Sequence, residues 1–280
     1  MAFTLEQIIR QATQELAAVS SSARIDAEVL AMHVCSLSRT GLITQGTSVP
    51  NPEQAQRLRE LLTRRLRGEP IAYITGRREF WSLGLQVTPD VLIPRPETEL
   101  LVEHALARIP VHADWIIADL GTGSGAVALA IAKERPGCKL IATDISEPAL
   151  AIAQKNARQL GIDNIEFRHG TWLDAFPGDM LDMIVTNPPY IAESDPHLAQ
   201  GDVNFEPRTS LVAGADGLNA FRTIAAGAGS HLKSGGRLLF EHGSNQGCAV
   251  AQILRQHAYQ AICCHHDLAG LERVTTCSLA

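Results

Sequence analysis

Short apolar runs alternate with segments of helical periodicity from Trp115 onward, and no other feature limits the fold of this chain as strongly. Each run is short enough for a strand that is buried on both faces. The runs are Trp115–Leu120, Leu140–Thr143, Ile165–Phe167, Met183–Thr186 and Arg237–Phe240. Helical segments separate the first three, and strands that alternate with helices build a parallel sheet covered on both faces. The sequence therefore predicts a doubly wound α/β domain.

The first 75 residues show little strand character. Their apolar residues recur at helical spacing: Leu5, Ile8, Ile9 and Ala12, then Ala27, Leu30, Ala31 and Val34, then Leu58, Leu61, Leu62 and Leu66. Breaks are expected at Ser20–Ser22, at Gly41 and at Val49–Pro52, where Asn51 or Pro52 opens the last helix. This part of the chain is therefore predicted to form a small helical domain.

A segment with alternating apolar residues and several prolines joins the two patterns. The alternation from Gly76 to Val87 predicts a short hairpin, and the prolines that follow it stiffen the connection. Pro96 and the carboxylates after it open a helix through His104, because proline suits the first turn and negative charge favours a helix N-terminus. We predict a helical domain at 1–75, a hairpin linker at 76–97 and an α/β domain at 98–280.

Composition and charge narrow the class of protein. An apolar content of 45% suffices for a core in each domain, and no stretch approaches the roughly 18 uncharged apolar residues of a membrane span. The start of the chain lacks the features of a secretion signal, so a soluble, cytoplasmic protein without a membrane partner is expected. The net charge of −6 argues against a long duplex nucleic-acid footprint. A local basic patch, formed by Arg57, Arg59, Arg64, Arg65 and Arg67, is either a solvated helix face or a binding surface.

The six cysteines show no repeated Cys-x-x-Cys spacing, and reduced thiols are expected. Cys263–His266 places two cysteines beside two histidines, which are common metal ligands. Neighbouring residues on a strand point to opposite faces, however, so these four side chains cannot surround one ion. We predict a strand here and no metal site.

A glycine-rich loop, Asp119–Gly125, follows the first predicted strand and precedes a helix at Ala126–Lys133. Its glycines permit a tight turn and let a ligand lie against the backbone. A dinucleotide is one possible ligand. The spacing is Gly-x-Gly-x-Gly, however, rather than the Gly-x-Gly-x-x-Gly of dinucleotide sites, and Asp119 would repel phosphates. The positively charged amino-acid part of S-adenosylmethionine suits this carboxylate better.

Two further side chains are expected at the carboxyl ends of strands, where open α/β folds bind ligands. Asp144 ends the second strand, and its carboxylate either accepts both hydroxyls of a ribose or caps the helix that begins near Ser146. Trp172 follows the third strand and either covers an adenine or packs in the core.

The fourth strand, Leu181–Thr186, runs into the tetrapeptide Asn187–Tyr190, which is the most specific signal in the chain. An amide nitrogen is a poor nucleophile, so methyl transfer to it requires an NH₂ group held in a fixed orientation. Asn187 offers a side-chain oxygen and Pro188 a backbone carbonyl as acceptors for its two hydrogens, while Tyr190 packs on the planar group. The alternative is a simple turn, stiffened by its prolines.

Asp119–Gly125, Asp144 and Asn187–Tyr190 together resemble class I S-adenosylmethionine-dependent methyltransferases that act on amide or exocyclic nitrogens. Further segments look like those of the peptide chain release factor glutamine N5-methyltransferase family, and the resemblance covers essentially the whole chain. These segments are the helical first 75 residues, Ile93–Glu99, Glu206-Pro207 with Gly214–Leu218, and Phe240–Gly243. Gly270–Arg273 departs from the pattern because it lacks a small polar run, and we assign it no catalytic role.

The resemblance implies a seven-stranded Rossmann-like methyltransferase domain with a small N-terminal helical domain that recognises substrate. It also implies methylation of the glutamine in the Gly-Gly-Gln motif of class 1 release factors, with S-adenosylmethionine as cofactor. The implied cofactor contacts are Asp119, Gly121, Thr122, Gly123, Ser124, Gly125, Asp144, Trp172 and Asn187. The implied substrate contacts are Asn187, Pro188, Pro189 and Tyr190, of which Asn187, Pro188 and Tyr190 are the catalytic residues.

Three alternatives remain open from the residues. A nucleic-acid N6-adenine methyltransferase would present the same planar NH₂ group to the tetrapeptide, although flipping a base out of a duplex normally calls for a basic recognition region. A ribosomal-protein glutamine methyltransferase would differ in substrate only. A cofactor-binding module without catalysis is a third possibility, which the intact glycine loop and Asn187 disfavour.

Overall fold

The computed structural model describes residues 3–280, which form two compact units. The smaller unit contains the chain up to Arg77 together with Gln200–Phe205, and the larger unit contains Arg78–Ala199 and Glu206–Ala280. Met1 and Ala2, with which the predicted helical domain begins, lie outside the described residues.

The smaller unit is helical, as predicted. Its helices are α1 (Leu5–Leu16), α2 (Ala23–Cys35), α3 (Arg39–Thr44), α4 (Pro52–Leu66) and α5 (Ile71–Thr75). The predicted start of α4 is confirmed, because the Asn51 side chain accepts from the Gln54 backbone N–H and Pro52 occupies the first turn. The predicted break at Gly41 is wrong. Helix α3 runs through this residue, and the Ser38 hydroxyl caps the helix by accepting from the Gly41 N–H at 3.0 Å.

A buried ion pair joins the helices of the smaller unit. Arg65 on α4 donates from Nε to the Asp26 carboxylate on α2 at 2.8 Å, and both side chains are largely buried. The hydroxyls of Ser20 and Ser22 also donate to Asp26, so its carboxylate has several partners. Arg65 further pairs through Nη1 with Asp202 at 3.2 Å. The sequence pattern did not indicate that Gln200–Phe205, which form a 3-10 turn, belong to this helical unit.

The predicted basic patch is largely neutralised. Besides Arg65, Arg64 pairs with Glu69 and Arg57 pairs with Glu60. These pairs favour the interpretation of the patch as a helix face over that of a nucleic-acid binding surface.

The larger unit begins with a hairpin and continues as alternating strands and helices. Its elements are β1 (Arg77–Phe80), β2 (Leu83–Gln86), α6 (Glu99–Leu106), β3 (Ile116–Leu120), α7 (Ala126–Glu134), β4 (Lys139–Asp144), α8 (Glu147–Leu160), β5 (Ile165–His169), β6 (Leu181–Thr186), α9 (Asn219–Ala228), β7 (Leu232–Glu241), α10 (Gly247–Gln256), β8 (Gln260–His266) and β9 (Glu272–Ser278). All strands except the hairpin form one seven-stranded sheet in the order β5-β4-β3-β6-β7-β9-β8. Strands β3 to β7 run parallel to one another, and β9 is antiparallel to both β7 and β8. The predicted fold class is therefore confirmed.

Apolar side chains fill both faces of this sheet, because neighbouring strand residues point to opposite sides. Ile117 packs in one cluster with side chains of α6 and α7, whereas Ala118 packs in a second cluster with side chains of α9 and α10. Met183 and Ile184 on β6 divide between the clusters in the same way. This double covering explains why the parallel strands read as continuous apolar runs.

The hairpin that was predicted as a linker packs inside the larger unit from Arg78 onward. Phe80, Leu83 and Leu85 belong to the first apolar cluster. Asn156 on α8 exchanges two hydrogen bonds with the backbone of Gln86, at 2.7 and 3.0 Å. The boundaries at 75/76 and 97/98 stay predictions.

Cys263–His266 lie on β8, which is an edge strand of the sheet, and the six cysteines are free. Within residues 3–280, no His, Cys, Asp and Glu side chains form a group that could hold a metal ion. No helix in the same range combines the length and the apolar character needed to cross a bilayer.

Candidate active site

A cavity of about 630 Å³ opens at the carboxyl edge of the central strands. Its volume falls within the roughly 300–1,000 Å³ typical of small-molecule sites. The predicted site residues that line it are Gly121, Gly123, Asp144, Trp172, Asn187 and Pro189. Thus the ends of β3, β4 and β6 and the segment after β5 all contribute to one cavity, as expected for an open α/β fold.

The glycine loop forms the turn from β3 to α7. Gly121 has φ +72°, a left-handed conformation that favours glycine, and a Cβ atom there would lie 3.5 Å from the Trp172 ring. The loop is held to the neighbouring strand by the Thr122 N–H, which donates to the Thr143 carbonyl at 2.8 Å. The backbone of the loop therefore faces the cavity in a fixed shape.

Asp144 connects the end of β4 to this loop. Its Oδ2 accepts from the Gly123 N–H and its Oδ1 from the Ser146 N–H, both at 2.9 Å. The helix-cap alternative is not what the structure shows, because the cap of α8 is Ser146, whose hydroxyl accepts from the Ala149 N–H at 3.3 Å. Asp144 lines the cavity, and its contact with a ribose stays a prediction.

Asp119 lies behind the loop instead of in the cavity lining, and 2% of its surface is exposed. Its Oδ2 accepts from the Thr122 hydroxyl at 2.7 Å and from the Ala128 N–H at 3.2 Å. Burial raises the pKa of this carboxyl to about 7, although these two hydrogen bonds lower it. Thr122, Ser124 and Gly125 are buried as well and are not part of the lining. Their contact with a cofactor stays a prediction, and the structure gives Asp119 a role in shaping the loop.

The raised pKa of Asp119 gives a testable pH dependence of stability. In the unfolded chain this carboxyl loses its proton near the ordinary value of 3.8, whereas in the folded chain it keeps the proton up to about 7. Its contribution to stability is therefore fully present below about pH 4 and is lost as the pH rises through about 7. The free energy of unfolding should fall by at most about 1.4 kcal/mol per pH unit from this group.

Urea unfolding of the wild type and Asp119→Asn across this pH range measures the effect. Other titrating groups are common to both proteins, so the difference between their free energies of unfolding isolates Asp119. We expect this difference to shift against the wild type as the pH rises. A difference that stays constant from about pH 4 to 8 contradicts the assignment.

Trp172 covers one wall of the cavity. It adopts φ 49°, which is unusual for a residue with a large side chain, at the start of a 3-10 turn, Trp172–Ala175. The side chain is half-buried, packs against the second apolar cluster and lines the cavity. The two sequence interpretations, a ligand wall and a core residue, therefore both describe part of its surroundings.

The tetrapeptide begins where β6 ends. Asn187 and Pro189 line the cavity, whereas Pro188 is buried and Tyr190 packs against the second apolar cluster. Burial raises the pKa of the Tyr190 hydroxyl, and the nearby Glu241 carboxyl raises it further. Tyr190 is thus a neutral phenol at physiological pH.

The backbone at Tyr190 and Ile191 is fixed by hydrogen bonds to neighbouring segments. The Gln246 side chain donates to the Tyr190 carbonyl at 3.0 Å, and Ile191 pairs with the segment around Val212. Gly217 has φ +72°, and a Cβ atom at this position would lie 2.3 Å from the Tyr190 carbonyl oxygen. Only glycine permits this close approach, which holds the tetrapeptide against its neighbouring loop.

Several residues that line the cavity were not among the site residues predicted from the sequence. The cavity is also lined by Pro89, Asp90, Leu92, Ile145, Pro207, Thr209, Ser210, Asn219 and Thr223. Behind Asn187, the Thr98 hydroxyl accepts from the Asn187 Nδ2 at 3.2 Å, and the buried Glu241 carboxyl lies beside both side chains. Ile145 directly follows Asp144 and is exposed. Thr98 and Glu241 lie in two segments that carry the family resemblance, Ile93–Glu99 and Phe240–Gly243, but the resemblance gave neither side chain a role.

Comparison with known proteins assigns the chain to a family. Two family models match: the PrmC N-terminal domain over residues 7–76 and the methyltransferase small domain over residues 96–202. The release factor glutamine methyltransferase of Escherichia coli (strain K12) is 50% identical over 267 residues, which cover 95% of this chain and 96% of that protein. The chain belongs to the release factor glutamine methyltransferase family. The resemblance predicted from the sequence is confirmed.

Other relatives agree with membership in the release factor glutamine methyltransferase family. The release factor glutamine methyltransferase of Xylella fastidiosa (strain Temecula1) is 47% identical over 259 residues, covering 92% of this chain and 94% of that protein. Among solved structures, the T. thermophilus 16S rRNA N2 G1207 methyltransferase in complex with AdoMet and guanosine has a TM-score of 0.55 and 17% identity. The matched region covers 73% of this chain and 50% of the T. thermophilus chain, and at this identity the similarity shows the fold alone.

Proposed function

We propose that this chain transfers a methyl group from S-adenosylmethionine to the side-chain amide nitrogen of a glutamine in class 1 release factors, at their Gly-Gly-Gln motif. The observation that carries the proposal is the position of Asn187 and Pro189 in the same cavity as the glycine loop and Asp144. Membership in the release factor glutamine methyltransferase family supports this choice of substrate.

The residues of the cavity fit S-adenosylmethionine. Asp144 presents a carboxylate beside the glycine backbone, which suits the hydroxyls of a ribose. Trp172 and the exposed Ile145 add an aromatic and an apolar surface, which suit a base. When bound, S-adenosylmethionine supplies a methyl group that is activated by its attachment to a positively charged sulfur.

The tetrapeptide would orient the acceptor. Asn187 Oδ1 and the Pro188 carbonyl accept the two hydrogens of the glutamine NH₂ group and so direct the nitrogen towards the methyl group. Tyr190 packs against the planar amide. Transfer forms a nitrogen–carbon bond, breaks the sulfur–carbon bond and releases one amide proton to solvent.

We also propose that the helical unit recognises the release factor and that the enzyme is cytoplasmic. The main alternative, a nucleic-acid N6-adenine methyltransferase, finds less support because the net charge is −6 and Arg57, Arg64 and Arg65 are paired with carboxylates.

Radiolabelled methyl transfer tests the proposal. The substrates are a purified class 1 release factor, the same factor with alanine at the motif glutamine, ribosomal proteins and duplex DNA. We expect label only in the unmodified release factor. Label in DNA or in a ribosomal protein, with none in the release factor, rejects the proposed substrate.

A further inference from the structure

Glu241, the last residue of β7, is a buried carboxyl to which neither the sequence nor the proposed mechanism assigns a role. Only 2% of its surface is exposed, and its Oε2 has no hydrogen-bond partner among the residues that the structure describes. Burying an unpaired carboxyl oxygen is unfavourable, so this group needs an explanation.

The explanation lies in its contact with the catalytic residue. The Thr98 hydroxyl and the Asn187 side-chain amide both lie near enough to the Glu241 carboxyl to lower its pKa. Thr98 is itself buried, with 4% of its surface exposed, and its oxygen accepts from the Asn187 Nδ2 at 3.2 Å. Three buried or half-buried side chains, from the start of α6, the residue after β6 and the end of β7, thus form one small polar cluster.

The chemistry of the three groups fixes the direction of their hydrogen bonds. An ionised carboxylate only accepts, so in any hydrogen bond between Thr98 and Glu241 the Thr98 hydroxyl is the donor. The lone pairs of the Thr98 oxygen are then left to accept from Asn187, which turns the NH₂ end of the Asn187 amide inward. The Oδ1 end consequently points away from the cluster. In the flipped amide, an NH₂ group would face the NH₂ group of the substrate, and two donors repel each other.

We propose that Glu241 and Thr98 are positioning residues that hold the Asn187 amide in one orientation, so that its oxygen meets the glutamine nitrogen that is methylated. This inference rests on the proposed function and deepens it. Neither residue lines the cavity, so both act through Asn187.

The charge of Glu241 makes the inference sensitive to pH. Burial raises its pKa to about 7, and Glu97 raises the pKa further. Thr98, Arg273 and Asn187 lower the pKa, and Tyr190 is a further titratable group near this carboxyl. A protonated Glu241 no longer forces the Thr98 hydroxyl to donate to it, which releases the Asn187 amide. Methyl transfer should therefore slow as the pH falls below about 7.

Single-turnover methylation of the release factor at saturating cofactor tests the hydroxyl. Thr98→Val keeps the shape of the side chain and removes its oxygen. It should lower the rate constant by about 10- to 100-fold, the range typical of residues that hydrogen-bond to metal-ligating side chains. Thr98→Ser should restore it to within about threefold. Affinity for S-adenosylmethionine and KM for the release factor should stay unchanged, because neither binding surface is touched. Thr276→Val is the matched control, since Thr276 is equally buried on β9 and contacts Arg108 and His265 instead.

The pH profile tests the carboxyl. Glu241→Gln should flatten the dependence of the rate constant on pH between about 6 and 8, at a rate below that of the wild type. A Thr98→Val rate constant equal to that of Thr276→Val overturns the inference, as does a Glu241→Gln profile parallel to the wild type. If Thr98→Val does not fold, the Glu241→Gln profile alone decides. Failure of the wild type to methylate release factor rejects the proposed function instead, so the two failures are distinguishable.

Discussion

Asn187→Ala should lower the rate constant of methyl transfer by about 10²- to 10³-fold, as removal of one preorganised polar group does in other enzymes. Asn187 lines the cavity, and in the proposed mechanism its side-chain oxygen is the acceptor that orients the glutamine NH₂ group. Its loss leaves the Pro188 carbonyl alone to hold the amide. Cofactor affinity should fall much less, because the glycine loop and Asp144 are unchanged.

Single-turnover transfer at saturating cofactor, with binding measured separately, distinguishes the two effects. Asn187→Asp is the more diagnostic variant, because it keeps an acceptor of the same shape and loses the NH₂ group that donates to Thr98. Partial activity is expected from it. A wild-type rate constant for Asn187→Ala would mean that the tetrapeptide is only a structural turn.

Asp144→Ala should weaken the affinity for S-adenosylmethionine by about 10²- to 10⁴-fold. The predicted ribose contact consists of two hydrogen bonds from hydroxyls to a charged acceptor, each worth about 1.5–3 kcal/mol, and the substitution would remove both. Part of the effect will come from the loop, since Asp144 also accepts from the Gly123 and Ser146 N–H groups. Calorimetric titration measures the affinity, and thermal unfolding verifies that the variant is folded.

Asp90→Ala serves as the control for this variant. Asp90 also lines the cavity, but its carboxylate accepts from the Thr88 hydroxyl on the segment after the hairpin. We expect its affinity to stay within a few fold of the wild type. If Asp144→Ala binds S-adenosylmethionine as well as Asp90→Ala does, the Asp144 carboxylate only shapes the loop.

The sheet was predictable because its strands are buried on both faces. Runs such as Leu140–Thr143 carry no charged residue, so each stands out from the helices around it. The break predicted at Gly41 was wrong because a single glycine is a weak signal. Glycine weakens a helix by only about 1 kcal/mol, and the Ser38 cap is enough to carry α3 through it.

The site was predictable where its residues follow strand ends directly. Asp144 ends β4 and Asn187 directly follows β6, and parallel strands bring such residues to one edge of the sheet. Asp119 looked like a member of this group, but it precedes the turn, and its side chain points back into the protein. The segments that contain Thr98 and Glu241 were part of the resemblance, but their place beside Asn187 could not be predicted. It depends on tertiary packing, which for Thr98 joins residues 89 positions apart.

The segment Gln200–Phe205 was the largest omission in the predicted organisation. Nothing in its composition marks it as part of the helical unit. It contacts that unit through an ion pair and an aromatic ring. Asp202 pairs with Arg65, and the Phe205 ring lies 3.3 Å from the position of a Cβ atom at Gly68. Such contacts depend on the course of the whole chain, and helical periodicity does not encode them.

Because Gln200–Phe205 lie late in the chain, the helical unit cannot be completed early in translation. Asp202 follows Arg65 by 137 residues, and at about 5–20 residues per second a ribosome needs about 7–27 s to travel between them. The Asp26 carboxylate emerges before Arg65, so the first buried ion pair can form early in translation. The last six residues of the helical unit, however, are synthesised only after strands β3 to β6 of the sheet. A nascent chain that stalls before Gln200 therefore exposes an unfinished N-terminal unit, however well its helices have formed.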